Sequence, residues 1–404
     1  MNIFRNQFAW LLGAVCLGLV GCNSQSVRSS SIQQIPYVAP TPIPEHLLLD
    51  VGVDLFDPGI QFLDEEKSTT TPAVRKAESV HVAQNLVEAL QQTRNWGAVR
   101  IVPAAQSETD VAVSGVIIES DGETLKLEVT VTDSSGKPWY TRRYEEQLSQ
   151  YAYDPSLRQQ QEPFQGLYNN IARDMEAYVR SLSAAKREEL RAISKLRFAQ
   201  RFAPDDYNDF MTVDANGRYT LKRLPAAGDP VIAQVESIRV RDQMFVDLLQ
   251  DHYRNFNTRL AGPYDQWREA SYHETKALRK LKEEATARKI GGVLAVVAGI
   301  LAQGSGSSTA RTAGVLGIGA GALMFKSGLD RGSEARIHEA GLKEMADSLG
   351  EEIRPHTIAL ADKTVTLSGT VDEQYAQWRA ILNEIYLTEI GQLPARDLSD
   401  PLPQ

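Results

Sequence analysis

Cysteine is almost absent from this chain, and the few that occur lie near its beginning. The 404 residues include two cysteines, at positions 16 and 22. The rest of the chain therefore has no thiol for a disulfide framework or a thiolate metal site. The six histidines are scattered without the spacing of metal ligands. Burial of apolar surface, or association with other chains, has to stabilise the folded part.

Other absences concern function. The net charge of -9 and the sequence pI near 5.4 argue against nucleic acid as a partner. No Gly-x-Ser-x-Gly elbow, His-Glu-x-x-His pair, phosphate loop or dinucleotide fingerprint occurs. We therefore expect no enzyme activity, no catalytic residue, no cofactor and no metal. A hydrolase without a recognisable motif is the enzyme-class alternative, and no residue set recommends it.

The first informative feature that is present is the N-terminal segment. Arg5 precedes an apolar run over residues 8–20, and Gly21 and Cys22 follow that run. Such a run is typical of an export signal and is too short for a stable membrane span. The stretch Leu19 to Cys22 resembles the lipobox of bacterial lipoproteins. The resemblance implies removal of residues 1–21 and diacylation of Cys22. An ordinary signal peptide that contains a cysteine is the alternative.

The resemblance also implies a destination. In lipoproteins of this kind, an aspartate after the acylated cysteine signals retention in the inner membrane. Asn23 stands at that position here. We therefore expect a lipid-anchored protein at the outer membrane that faces the periplasm, with membrane lipid as one partner.

Residues 22–45 and 46–150 differ sharply in composition. The first segment is rich in Ser, Gln and Pro, which predicts a flexible tether. The second predicts a compact α+β domain. Its predicted elements are a strand over 46–56, a helix over 72–96 that ends at Gly97, and strands over 99–102, 111–119, 124–133 and 139–147. This order resembles the periplasmic domain of the curli-exporter lipoproteins.

Residues 151–289 are predicted to be mainly helical. Asp229 and Pro230 supply an N-cap and a first helical residue for a long helix. Gly262 and Pro263 are expected to break or kink that helix. The charged stretch after them is compatible with either a solvated bundle arm or a coiled coil.

Residues 290–325 form the second informative segment. Two apolar arms of about thirteen residues flank a Gly/Ser-rich tip, which predicts a helical hairpin. Small residues recur every four positions, so each arm has one face on which backbones can approach closely. These residues are Gly291, Ala295 and Gly299 on the first arm, and Ala313, Gly317 and Gly321 on the second. The segment resembles the glycine-zipper segments of outer-membrane-associated proteins.

The length of the arms leaves three alternatives open. Thirteen helical residues extend roughly 20 Å, whereas the apolar core of a bilayer is about 30 Å thick. The hairpin could enter a membrane partly, or span it after oligomerisation. It could instead be buried in a soluble helical bundle, or form a disordered loop.

Residues 326–404 are predicted to contain a charged helix and a small cap. The cap has a strand over 364–372 and a helix over 375–386. This strand and helix are similar to half of a BON module, a small envelope domain. A short α/β cap on the helical region is the alternative.

Together these patterns predict an α+β protein with a helical region, an apolar glycine-rich hairpin and a C-terminal cap. We expect a structural or assembly role at the outer membrane, as a homo-oligomer or with an envelope protein as partner. The first alternative is a subunit of a helical pore or export channel. The second is a periplasmic regulator of a cell-wall enzyme.

Overall fold

The structure, a computed structural model, describes most of the chain between Ser26 and Gly391. The described residues are 26–29, 41–63, 70–103, 108–149, 151–154, 162–226, 228–302, 342–344, 347, 356–360 and 363–391. They contain both helices and a mixed sheet, which confirms the predicted α+β class. The strands are β1 (Ser26–Ser29), β2 (Val51–Val53), β3 (Val99–Ile101), β4 (Val111–Ser120), β5 (Thr124–Asp133), β6 (Pro138–Gln147), β7 (Met211–Val213), β8 (Tyr219–Leu221), β9 (His356–Leu360) and β10 (Lys363–Leu367). The α-helices include α1 (Pro72–Thr93), α2 (Gln165–Ser181), α3 (Ala184–Phe202), α4 (Pro204–Tyr207), α5 (Pro230–Ala302) and α6 (Val371–Glu389).

The main sheet has the strand order β1-β6-β5-β4-β2-β3. Strands β4, β5 and β6 correspond to three of the predicted strands and form an antiparallel meander, and β2 pairs in parallel with both β3 and β4. Strand β1 pairs in parallel with β6, although it lies in the segment predicted as a tether. The outer edge of β6 offers unpaired backbone groups, and the extended chain over 26–29 satisfies them.

One face of the sheet is buried under helices. Every second residue of β5 faces the helices, and these four side chains are all at most 2% exposed: Leu125, Leu127, Val129 and Val131. Helices α1 and α2 pack against each other, α1 against β2, β3 and β4, and α2 against β6 and β1. The meander therefore has one dry face, as expected for an antiparallel sheet covered on one side.

Two predicted boundaries in this region are wrong. Pro72 does open α1, but the helix ends at Thr93 because Arg94 adopts a left-handed conformation with φ of 56°. Gly97 is therefore not what stops it. Of the predicted strand over 46–56, only the three residues of β2, Val51–Val53, form a strand. Only they pair with the neighbouring strands β3 and β4. Apolar alternation alone does not show where a partner strand ends.

Helix α5 is a single element of 73 residues. Asp229 caps it as predicted, since its carboxylate accepts the backbone N–H of Val231 at 2.9 Å. Of the predicted break or kink at Gly262 and Pro263, the break is wrong, because the helix continues through both residues. Proline removes one backbone donor, but the buried side chains of Tyr264 and Trp267 on the next turn hold the helix to the body.

The C-terminal cap contains one more strand than predicted. Strands β9 and β10 form an antiparallel hairpin, and β10 ends at Leu367. Helix α6 starts four residues before the predicted start, at Val371. The cause is a capping box, in which Thr370 and Glu373 each bond the backbone N–H of the other. Away from the cap, residues 214–217 form the turn that joins β7 to β8.

The buried apolar residues form one continuous core. It includes residues of the sheet, of α1 to α3, of α5 and of α6. Aromatic stacking joins the cap to α5, where the ring of Phe245 lies 6.0 Å from Tyr375 and 5.7 Å from Trp378. The cap therefore packs on the first part of α5.

A glycine in α5 offers a test of the continuous helix. Gly262 is exposed, and an added Cβ would meet no atom within 4 Å. We expect Gly262→Ala to raise the free energy of unfolding by about 0.5–1 kcal/mol, because alanine restricts the unfolded chain and favours helix. Urea unfolding followed by circular dichroism measures this. Gly115→Ala is the contrasting variant, since its Cβ would clash with the Phe56 ring and destabilise the protein. An unfolding midpoint lowered by Gly262→Ala would contradict a helix through this position.

Candidate functional site

The structure places three of the seven predicted site residues in one helix. Gly291, Ala295 and Gly299 lie in the last turns of α5, four residues apart and so near one face of the helix. The first predicted arm is thus the end of a much longer helix rather than a separate element. The other four lie outside the described residues: Cys22, Ala313, Gly317 and Gly321.

Helix α5 extends well past its last described contact with the body. That contact is an ion pair between Arg279 and Glu123, with Nη1 and Oε1 2.7 Å apart. The helix then continues to Ala302, over roughly 35 Å at 1.5 Å per residue. The whole of α5 is about 110 Å long. A long rod therefore joins the folded body to the apolar segment.

The contacts of α5 fix its direction relative to the sheet. Near its start, Arg239 lies 3.5 Å from the Ser194 hydroxyl, which donates to Asp110 just before β4. Further along, the Ser271 hydroxyl donates to the carbonyl of Asp121, just after β4, at 2.8 Å. Helix α5 thus runs in the same direction as β4 and leaves the body past the β4–β5 turn.

The β4–β5 turn is shaped to receive the helix. Gly122 has a φ of 79°, and an added Cβ would clash with the backbone of α5 at Arg268. Thr275 donates a second side-chain hydrogen bond to the Asp121 carbonyl, at 3.1 Å. Only glycine permits this approach without strain.

A buried ionic group, which we call the Arg268 cluster, lies beneath this part of α5. It consists of Glu78, His81, Glu162, Tyr264 and Arg268. The Arg268 guanidinium contacts both oxygens of Glu162, at 2.5 and 3.2 Å. The Tyr264 hydroxyl donates to Glu78 at 2.7 Å, and the His81 Nε2 atom lies 3.3 Å from Glu162. The cluster joins α1, α5 and the loop before α2.

The pKa values of the two carboxyls in the Arg268 cluster are shifted in opposite directions. Burial raises the pKa of Glu78, and the charge of Arg75 only partly offsets this. Burial also acts to raise the pKa of Glu162, but the charge of Arg268 prevails and holds it well below its usual value. Arg268 itself is 2% exposed. A guanidinium buried so completely needs such a partner, because an uncompensated buried charge is strongly destabilising.

A second buried group, which we call the Arg379 cluster, lies near the start of α5. It consists of Glu108, Arg201, Asp242, Tyr375 and Arg379. The Arg379 guanidinium reaches Asp242 at 3.2 Å and Glu108 at 3.1 Å, and Arg201 pairs with the other oxygen of Glu108. Burial raises the pKa of Asp242 to about 6, against the opposing effect of Arg379. This cluster joins α3, α5 and α6 to the chain before β4.

The sequence does not signal either cluster. Arg268 and Glu162 are 106 positions apart, and Arg379 and Glu108 are 271 apart. For a charged side chain, a solvated position is the usual outcome. The chemistry of both clusters suits mutual fixation of elements, since most of their charged atoms are already engaged. Within the described residues, no three His, Cys, Asp or Glu side chains are grouped to hold a metal.

No helix in the described part of the chain is long and apolar enough to cross a membrane. Comparisons of the chain with protein-family models, curated proteins and solved structures found no match. The resemblances to a lipobox, a curli-exporter domain, a glycine zipper and a BON module therefore stay predictions.

Glu162→Gln tests the dominant charge of the Arg268 cluster. At pH 7 we expect the free energy of unfolding to fall by about 3 kcal/mol, because Arg268 loses its main counter-charge. The pKa of Glu162 is lowered in the folded state, so its stabilisation is present above the unfolded value near 4.5 and is lost as pH falls further. The difference between variant and wild type should therefore shrink below about pH 4.5. Urea unfolding across a pH series measures both effects.

The matched control is Asp251→Asn, which removes a carboxylate from an exposed ion pair with Arg254 on the same helix. We expect a change below about 0.5 kcal/mol at every pH. A Glu162→Gln effect as small as this control would show that Arg268 does not depend on Glu162.

Proposed function

We propose that this chain is a lipid-anchored cell-envelope protein with a structural or assembly role at the outer membrane, where it faces the periplasm and works as an oligomer. The observation that carries the proposal is the continuity of α5. A single helix joins the core of the folded body to the apolar segment that begins at Ile290. Movement or load at one end of such a rod is transmitted to the other.

The way α5 is held supports a mechanical role for the body. Two buried ionic clusters and the β4–β5 turn contact the helix over residues 242–279. Buried ion pairs add little net stability, but separating one partner from the other is costly. Such contacts therefore resist reorientation of the helix more than they stabilise the fold, which suits a rod that has to keep its direction.

The proposal gives the protein two attachments. One is the diacyl group that the lipobox implies on Cys22, and the other is the apolar end of α5. Two acyl chains already give stable attachment, so the apolar end of α5 adds a second, independent contact. The apolar end of α5 covers only about 20 Å as helix, so it enters a bilayer partly or packs against copies of itself.

The second attachment can be tested after the first is removed. Residues 1–21 are exchanged for a signal peptide that is cleaved without lipidation, and Cys22→Ala is added. We expect this chain to stay partly in the membrane pellet after alkaline carbonate extraction, because the apolar segment still holds it. Immunoblotting of pellet and supernatant measures the distribution.

The control for this experiment lacks residues 290–325 as well, and it should appear wholly in the supernatant. Full release of the chain that retains 290–325 would contradict membrane insertion. Incorporation of labelled palmitate into the wild type, but not into Cys22→Ala, tests the acyl anchor separately.

Self-association along the small-residue face makes a separate prediction. After loss of the signal and acylation of Cys22, an introduced cysteine is the only free thiol. We expect Ala295→Cys to form disulfide-linked dimers readily under mild oxidation, because the small face lets two helices approach closely. Position 297 lies about 200° around the helix from position 295, so Val297→Cys is the matched control. Non-reducing electrophoresis measures the dimer fraction, and equal fractions would contradict a specific helix contact.

A further inference from the structure

A partly enclosed cavity of about 60 Å³ lies beside the Arg379 cluster. Strands β2 and β3, helices α3 and α5, and the loop after β3 meet there. Its walls are mainly apolar and include Val102, Pro103, Phe198 and Val246. A few polar side chains reach it, which is the usual character of a small-ligand site.

Two of the polar side chains at the cavity are buried and incompletely bonded. Arg239 is 8% exposed and Asp242 is 7% exposed. The Nη1 atom of Arg239 and the Oδ1 atom of Asp242 have no hydrogen-bond partner among the described residues. A buried charged atom without a partner costs free energy, so each can bond a group that enters the cavity, either water or a ligand.

The remaining atoms of these two groups are bonded within the chain. Asp242 Oδ2 accepts hydrogen bonds from the Arg379 guanidinium at 3.2 Å and from the Tyr375 hydroxyl at 3.3 Å. Arg239 Nη2 lies 3.5 Å from the Ser194 hydroxyl. Both side chains are thus held in place with one donor and one acceptor left over. Such preorganised groups lose little freedom when a ligand binds.

The charges around the cavity are almost balanced. Three carboxyls, those of Glu108, Asp110 and Asp242, lie among the guanidiniums of Arg201, Arg239 and Arg379. Asp50 adds one carboxyl, whose Oδ1 accepts the Ala98 N–H at 2.8 Å. Arg100 also lines the cavity, and its guanidinium pairs with Asp247. A ligand with no net charge but with both signs suits these surroundings better than a simple anion or cation.

The spacing of the two residues on α5 and the volume of the cavity also limit the ligand. Arg239 and Asp242 are three residues apart on α5, so their side chains are neighbours on one face of the helix. A water-sized group occupies about 10–15 Å³ of a cavity. The volume of about 60 Å³ therefore accepts roughly four to six heavy atoms. Glycine has five such atoms and alanine has six.

We propose that this cavity binds a small free α-amino acid, with its carboxylate on Arg239 and its ammonium group on Asp242. The apolar wall receives a hydrogen or a methyl group as the side chain. A peptide terminus carries either the carboxylate or the ammonium group, but not both on the same residue. It would therefore leave either Arg239 Nη1 or Asp242 Oδ1 unpaired. The site does not depend on the proposed membrane attachment.

The test uses the full-length protein in detergent, titrated with glycine and L-alanine in an isothermal calorimeter. N-acetylglycine and glycinamide are the paired probes, since each lacks one of the two charges. We expect saturable binding of glycine or alanine, and affinity lower by about tenfold or more for both probes. No measurable binding of either amino acid would overturn the proposal and indicate that the cavity holds only water. Equal affinity for a singly charged probe would also overturn it.

Variants of the chain give the second arm of the test. Arg239→Gln and Asp242→Asn should each weaken amino acid binding by about tenfold or more. Glu236→Gln makes the same acid-to-amide change one to two turns earlier on α5, at a half-exposed pair with Lys195, and should leave affinity unchanged. Circular dichroism checks that each variant folds. If Asp242→Asn fails to fold because Arg379 loses a partner, the two probes on the wild type still decide the question.

Discussion

The structure depends most on the burial of Arg268 against Glu162. A guanidinium removed from water is tolerated only with a close counter-charge, so this pair requires the loop before α2 and helix α5 to meet in one position. Tyr264 and His81 extend the requirement to helix α1 through Glu78 and Glu162. The β4–β5 turn then closes on the same stretch of α5. Once this contact forms, the direction in which α5 leaves the body is determined.

The two ionic clusters on α5 differ in a way that bears on function. The Arg268 cluster places its guanidinium against both oxygens of one carboxylate, which is typical of a structural contact. Near the Arg379 cluster, Asp242 and Arg239 each keep one buried polar atom without a partner in the described residues, beside a cavity. Arg268 Nε and Glu78 Oε2 of the Arg268 cluster also lack a hydrogen-bond partner among the described residues, so the cavity is what distinguishes the two clusters. One end of α5 thus serves to hold the helix, and the other has the features of a small binding site.

Much of the fold follows from local patterns. Pro72 and Asp229 begin helices as their chemistry predicts, and the alternation in β5 gives the buried face of the sheet. The wrong predictions of element boundaries lie where contacts with residues far away in the sequence decide the local structure. The strand before the first helix shortens because only three residues find partner strands, and α5 passes Pro263 because buried aromatic side chains on the next turn hold it to the body. The extra strand β9 depends in the same way on its pairing with β10.

The sequence by itself determined the features that depend on composition over a short stretch. These are the N-terminal segment with Cys22, the helical and strand periodicities, and the apolar glycine-rich arms. Only the tertiary structure decided that the first arm is the end of a helix rooted in the core, and that Arg268, Arg379 and Asp242 are buried. The physical reason is that the burial of a charge is set by partners from remote parts of the chain. Their approach has no signature in the residues around the charge itself.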